Sequence, residues 1–141
     1  ITGEPFSAAL PDENESWQPV LEIGLNSDRA HLVERLAKRV EKMWQQGLVD
    51  EAQSLISSGL REGKTSSMAI GYRQALAQLD GELSQQEAID QTVQLTQRYA
   101  RRQMSWFRRD ERINWFDYQQ PDLFGAVTEL VAAKAPHLIG E

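Results

Sequence analysis

The chain has no cysteine. Thiol catalysis, disulfide bracing and cysteine-bound zinc are thereby excluded. Histidine is nearly as scarce, limited to His31 and His137. One falls on the polar side of a helix and the other in the tail, so both read as solvent residues rather than ligands. No apolar run approaches the roughly 18 residues of a membrane span. No secretory pattern opens the chain, which starts at Ile1 rather than Met. That start suggests further sequence upstream. No GxxxxGK[ST], GxGxxG, HExxH or GxSxG motif occurs. Asp50–Glu51 and Asp110–Glu111 are neighbours in sequence and so do not face each other on a helix. No catalytic base can be assigned from these residues.

What is present is an ordinary soluble composition, 40% hydrophobic and 26% charged over 141 residues. That suits about one domain with a core of its own. The net charge is −6, which argues against polyanion binding by the whole surface. The charge is unevenly placed. From Arg98 to Arg112 there are six arginines, no lysine and two acids, Asp110 and Glu111. The rest of the chain holds nine basic residues against nineteen acids. Guanidinium concentrated on an acidic protein is an electrostatic footprint for phosphate, and implies a nucleic-acid or diphosphate partner.

Read as a helix, this stretch sorts its residues by face. Ile89, Val93, Thr96, Ala100, Gln103 and Phe107 share one side, widened by Leu95, Tyr99 and Trp106. Arg98 points away from them, Arg101 and Arg108 share one flank, and Arg102 lies near the other. The pattern predicts an apolar stripe packed down with arginines outside. Gln103 would lie within the stripe, where an unpaired amide costs about 1–3 kcal/mol. Two readings stand: a solvated charged face, or a face that grips an anion. Tyr99, Trp106, Phe107 and Trp115 are either core residues or rings on which unpaired bases stack.

Residues 1–18, with Pro5, Pro11 and the polar run Asp12–Ser16, read as a connector that Trp17 could pin. Val20–Leu25 alternates as a strand. Ser27 is a cap candidate for a helix reaching about Gln46, striped by Leu32, Leu36, Val40 and Met43 and stopped by Gly47. Arg29 falls on that stripe in the first turn, with Arg39 at its edge. Either Arg29 meets an anion, which a helix N-terminus already favours, or it snorkels to solvent. A short helix follows over about Val49–Ser57. A third, from about Ser66 to Leu79, contains Gly71 in its interior, either as a tolerated glycine or as a point of close approach; Arg73 lies off its apolar face. Ser84 and Glu87 form a capping box that opens a long helix to about Arg109. Ile113–Phe116 reads as a second strand, and Pro121 suits the first turn of a last helix. Two strands do not make an independent sheet, but they would sit well at the margin of a larger parallel one.

SSMAIGYRQALAQLDGE (66–82) and YARRQMSWFRRDERINWFD (99–117) resemble the C-terminal half of the bacterial tRNA dimethylallyltransferase family. DRAHLVERLAKRVEKMWQQGLVDEAQSLISSGL (28–60) matches the same family in order and spacing. ITGEPFS (1–7) resembles the end of the family's return from an inserted helical domain. The paired motifs AIGYRQ and RRQMSWFR carry the resemblance, which covers nearly the whole chain.

The resemblance implies a mostly α chain with two short strands, the C-terminal fragment of a P-loop-type α/β protein. Residues 1–18 would be the connector and 19–141 part of the transferase core. The implied reaction moves dimethylallyl from its diphosphate, the co-substrate, to N6 of an adenosine beside the tRNA anticodon. Mg2+, the phosphate loop and a catalytic aspartate would belong to the missing N-terminal half, so no activity is expected of this piece alone. Arg29 matches the arginine facing the diphosphate channel. The segments Ala69–Gln74 and Arg101–Arg108 match the tRNA-facing side and nominate Gly71, Tyr72, Arg73, Gln74, Arg101, Arg102, Gln103, Trp106 and Arg108. Arg101 stands where many members have lysine. Gln97 departs from an arginine common after the threonine, and arginine comes one residue later, at Arg98. Met68 and Ser67 also lack an arginine that some members place there. Expected partners are the tRNA anticodon stem-loop and the N-terminal half of the same protein, with no membrane, in a cytoplasmic monomer. The alternatives are a stand-alone helical RNA-binding module, a protein-interaction domain and a prenyltransferase acting on free adenine nucleotide.

Overall fold

The computed structural model describes residues 19–136. The connector 1–18, with Trp17, and the tail from His137 lie outside the described residues. The elements run β1 (Ile23–Asn26), α1 (Arg29–Gln45), α2 (Leu48–Ile56), α3 (Tyr72–Leu79), α4 (Gln85–Phe107), β2 (Asn114–Asp117) and α5 (Leu123–Lys134). The chain is mostly helical, with two short strands, as its periodicities predict.

Two small cores hold α1, α2, α3 and α4 together. Val40 and Trp44 of α1 pack on Ala88 and Ile89 of α4. Ala52 of α2 and Leu60 pack on Ala75 and Leu76 of α3. Leu48 and Val49 touch both clusters and join them. The alanines at the helix contacts are fully buried, so backbones approach closely where side chains are smallest. The Trp44 indole N–H donates to Gln78 Oε1 at 2.8 Å. This satisfies a donor whose unpaired burial would cost about 1–3 kcal/mol.

β1 and β2 pair in parallel, Ile23 against Asn114 through Asn26 against Asp117. Four helices intervene in sequence, and parallel pairs require such a crossover. The ladder is extended at both ends: Asn114 N–H donates to Glu22 O, and Tyr118 N–H to Asn26 O, each at 2.9 Å. Gly24 faces Trp115, and a Cβ there would lie 2.6 Å from the indole ring.

Several local expectations are corrected. The α1 cap is Asp28, not Ser27: its Oδ1 accepts from the N–H groups of Ala30 and His31. A carboxylate takes two N-terminal donors at once, and its charge suits the helix dipole. The third helix begins at Tyr72 rather than near Ser66. Gly71 therefore lies before the helix, not inside it, with φ of +100°. Residues 64–71 are turns held by contacts such as Ser67 Oγ to Gly63 O at 2.7 Å, and Met68 is exposed. Pro121 precedes the cap of α5, which is Asp122 accepting from Gly125 N–H at 3.0 Å. His31 is not a solvent residue. It is half-buried, and its Nε2 meets the Tyr118 hydroxyl.

Candidate nucleic-acid interface

α4 is long because its start is well capped and nothing interrupts it. Ser84 Oγ accepts from Glu87 N–H, while Glu87 Oε2 accepts from Ser84 N–H at 2.8 Å. No glycine or proline occurs from Gln85 to Phe107. Its 23 residues make a rod of about 35 Å. Only its first half is anchored: Ala88, Ile89 and Thr92 are its buried residues. The Thr92 and Thr96 hydroxyls donate to the carbonyls of Ala88 and Thr92, so neither needs an outside partner.

The second half stands clear of the described core. Tyr99 is 52% exposed and Trp106 62%, so neither ring is buried against the described residues. Gln103, expected in the stripe, is not buried by any described residue either. The apolar stripe continues past Thr96 in sequence, but no described residue of α4 beyond Thr92 is buried. Trp106 and Phe107 meet edge to face, their centroids 5.2 Å apart.

The guanidinium groups divide sharply. Arg112 is engaged: it pairs with Asp110 at 2.6 Å and Glu22 at 3.2 Å. Hydrogen bonds from Arg112 hold the Asp110 carboxyl down at about 2. Among the described residues, Arg98, Arg101, Arg102, Arg108 and Arg109 make no ion pair. All are exposed. Unpaired cations next to exposed rings on one projecting helix can contact phosphates and stack bases together.

The start of α3 lies alongside. Gly71 is buried, and its N–H donates to Gln74 Oε1 at 3.0 Å. Gln74 is 3% exposed. Tyr72 is half-buried and donates its hydroxyl to Glu51, a bond that holds the phenol above its usual range. Arg73 alone of these four is exposed. Tyr72 also lines a hollow of about 400 Å³ together with Arg39 and Ile70.

Arg29 is the first residue of α1 and is exposed. It follows β1 directly, so it lies where the parallel strands end in Asn26 and Asp117. Ligands of open α/β sheets bind outside that carboxyl edge. Because Asp28 accepts from the N–H groups of Ala30 and His31, anion recognition here falls to the Arg29 side chain. Tyr118, just past β2, braces this end of α1 through His31 and lies 4.8 Å beneath the Arg35 guanidinium. Sequence reasoning missed that brace, because residues 31 and 118 are joined only by the parallel pairing. Among the described residues no group of three or more His, Asp and Glu could hold a metal ion.

A family model described as IPP transferase matches residues 1–110. A tRNA dimethylallyltransferase of Thermobifida fusca is 51% identical over 131 residues, covering 93% of this chain and 41% of that protein. One from Streptomyces avermitilis is 50% identical over 123 residues, covering 87% and 39%. The crystal structure of the full-length tRNA isopentenylpyrophosphate transferase of Bacillus halodurans superposes with a TM-score of 0.73 at 37% identity, over 83% of this chain and 39% of that one. That of the Staphylococcus epidermidis tRNA isopentenylpyrophosphate transferase gives 0.71 at 31%, over 80% and 36%. The chain thus spans about two fifths of the length of the curated relatives it matches. With the family model matching more than three quarters of its length and relatives about half identical over most of it, this chain belongs to the IPP transferase family.

Proposed function

We propose that this chain is the substrate-gripping C-terminal part of a tRNA dimethylallyltransferase. The whole enzyme would transfer dimethylallyl from dimethylallyl diphosphate to N6 of an adenosine beside the tRNA anticodon. The C–O bond to diphosphate breaks, an N6–C bond forms, and the amine loses a proton. In this division of labour, Arg29 contacts the diphosphate as negative charge builds on it, the kind of interaction that strengthens in the transition state. Arg73, Arg101, Arg102, Gln103, Trp106 and Arg108 contact the anticodon stem-loop, with Gly71, Tyr72 and Gln74 shaping the adjoining turn. Following the family resemblance, Mg2+ and the proton acceptor are assigned to the remainder of the enzyme. The enzyme would work in the cytoplasm, where its tRNA is.

The observation that carries this reading is the projecting half of α4, with unpaired guanidiniums beside exposed rings. The test uses the full-length enzyme that contains this chain. Arg101→Ala with Arg108→Ala should raise KM for an anticodon stem-loop about tenfold or more and leave KM for dimethylallyl diphosphate unchanged. Arg29→Ala should do the reverse. A loss on the isoprenoid side alone for the α4 pair would overturn the assignment.

A further inference from the structure

A second cationic feature lies where α3 meets the middle of α4. A cleft of about 250 Å³ is lined by Arg73, Gln74, Gln91, Gln94, Leu95 and Arg98. That is roughly the volume of eight liquid waters, room for one phosphate and its sugar rather than a duplex. Gln91, Gln94, Leu95 and Arg98 recur at the spacing of one helix face. Arg73 reaches the same space from α3.

The lining residues include no acid. Neither carboxylate on the first turns of α4 lines the cleft: Glu87 accepts from Ser84, and Asp90 from Gln86. Neither Arg73 nor Arg98 makes an ion pair among the described residues. The floor is oriented. Because a backbone N–H can only donate, the bond from Gly71 fixes Gln74 Oε1 as the acceptor. The Gln74 amide N–H groups are thereby left as the donors of a side chain that lines the cleft. Two guanidiniums and an oriented amide donor, with no carboxylate in the lining, suit a singly charged anion.

We infer that this cleft seats one backbone phosphodiester of the RNA strand that α4 carries, held between Arg73 and Arg98. Gln91 and Gln94 lie within reach of the attached ribose. The inference rests on the tRNA reading above and extends it to Gln91, Gln94 and Arg98, which that reading leaves out. It also gives Arg98 a place. One position later than Gln97, its guanidinium falls on the cleft face, and the face continues to Arg102 and Ser105. The cleft is thus the inner end of the arginine track.

The experiment measures anticodon stem-loop binding by the full-length enzyme across salt concentrations. Each phosphate neutralised on a single strand contributes about 0.7 to the slope of log K against log salt. Arg98→Ala should weaken binding about tenfold at low salt and lower the slope by close to that amount. Arg98→Lys should restore the slope, and KM for dimethylallyl diphosphate should not move. Methylphosphonate substitution should reveal one stem-loop position at which neutralisation weakens the native enzyme and not Arg98→Ala. An unchanged slope in Arg98→Ala, with Arg101→Ala and Arg108→Ala still defective, would overturn the cleft and leave the tRNA reading standing. Native-like binding by all three would overturn both. A loss confined to the diphosphate substrate would overturn the choice of RNA as occupant.

Discussion

The Tyr118 hydroxyl meets His31 Nε2, so the residue just past β2 is tied to the first turn of α1, 87 positions earlier in the chain. The two rings lie 5.9 Å apart, and Arg35 covers the phenol. Tyr118→Phe keeps the ring under Arg35 and removes only the hydrogen bond. It should cost about 0.5–1.5 kcal/mol, read from the denaturant midpoint. Tyr118→Ala should cost distinctly more, because the ring contacts go as well. Equal losses would show that the hydroxyl alone matters.

Gly24 is confined by close approach. A Cβ there would sit 2.6 Å from Ile113 Cγ2 and 2.6 Å from Trp115 Cε3. The indole is rigid, so Gly24→Ala must displace it or part the strands. Overpacking of this kind costs about 1–3 kcal/mol. Trp115 fluorescence and the unfolding midpoint should shift together; a stability equal to native would refute the contact.

Gly71 is confined by its backbone instead, at φ +100° and ψ −58°, with its nearest neighbours, Met43 and Leu48, at ordinary contact distance. Gly71→Ala should destabilise by about 1–3 kcal/mol through strain alone. Gln74→Ala should also be harmful, because it strands the buried Gly71 N–H. Thermal unfolding of the two variants checks both.

The turn after α4 carries a pH signature. Arg112 lowers the Asp110 carboxyl to about 2, against a usual value near 3.9. A depressed acid stabilises the fold above its unfolded value and loses that contribution as pH falls through its folded value. The latch should therefore be intact above about pH 4 and open towards pH 2. Carbon-13 titration of the Asp110 carboxyl should show a midpoint near 2, and near 4 in Arg112→Ala, which still leaves Glu22 in place.

Removing the helix cap gives a fourth check on stability. Ser84→Ala leaves Glu87 N–H without its hydroxyl acceptor and should cost about 1 kcal/mol. Ser84→Asp should recover most of it. A neutral alanine would mean that packing of Ala88 and Ile89 alone holds the start of α4.

Much of this was legible in the sequence because it is local. The Ser84–Glu87 box, Gly47 at the bend and the stripe of Val40 and Met43 each announce themselves within a few residues. Asp28 and Ser27 are adjacent cap formers, and only geometry chooses between them. Gly71 misleads because Met68 and Ala69 keep helical spacing through a segment that is a chain of turns. Gln103 misleads differently: periodicity identifies the face, not whether anything covers it. The arginine cluster is visible as composition. That Arg112 is engaged while Arg98 and Arg101 are not rests first on Asp110, two residues away, and then on Glu22, some ninety residues away across the parallel pair. The cleft between Arg73 and Arg98 depends on how α3 crosses α4, which no local pattern encodes.

The half-anchored build of α4 sets a gradient of opening along one helix. Its inner turns are clamped by Ala88, Ile89 and Thr92, whereas its outer turns persist by propagation from them rather than by burial. Amide protons near Thr92 should therefore exchange orders of magnitude more slowly than those near Trp106. RNA laid along the outer turns would slow the fast ones and flatten the profile, so the molecule carries its own internal reporter of occupancy.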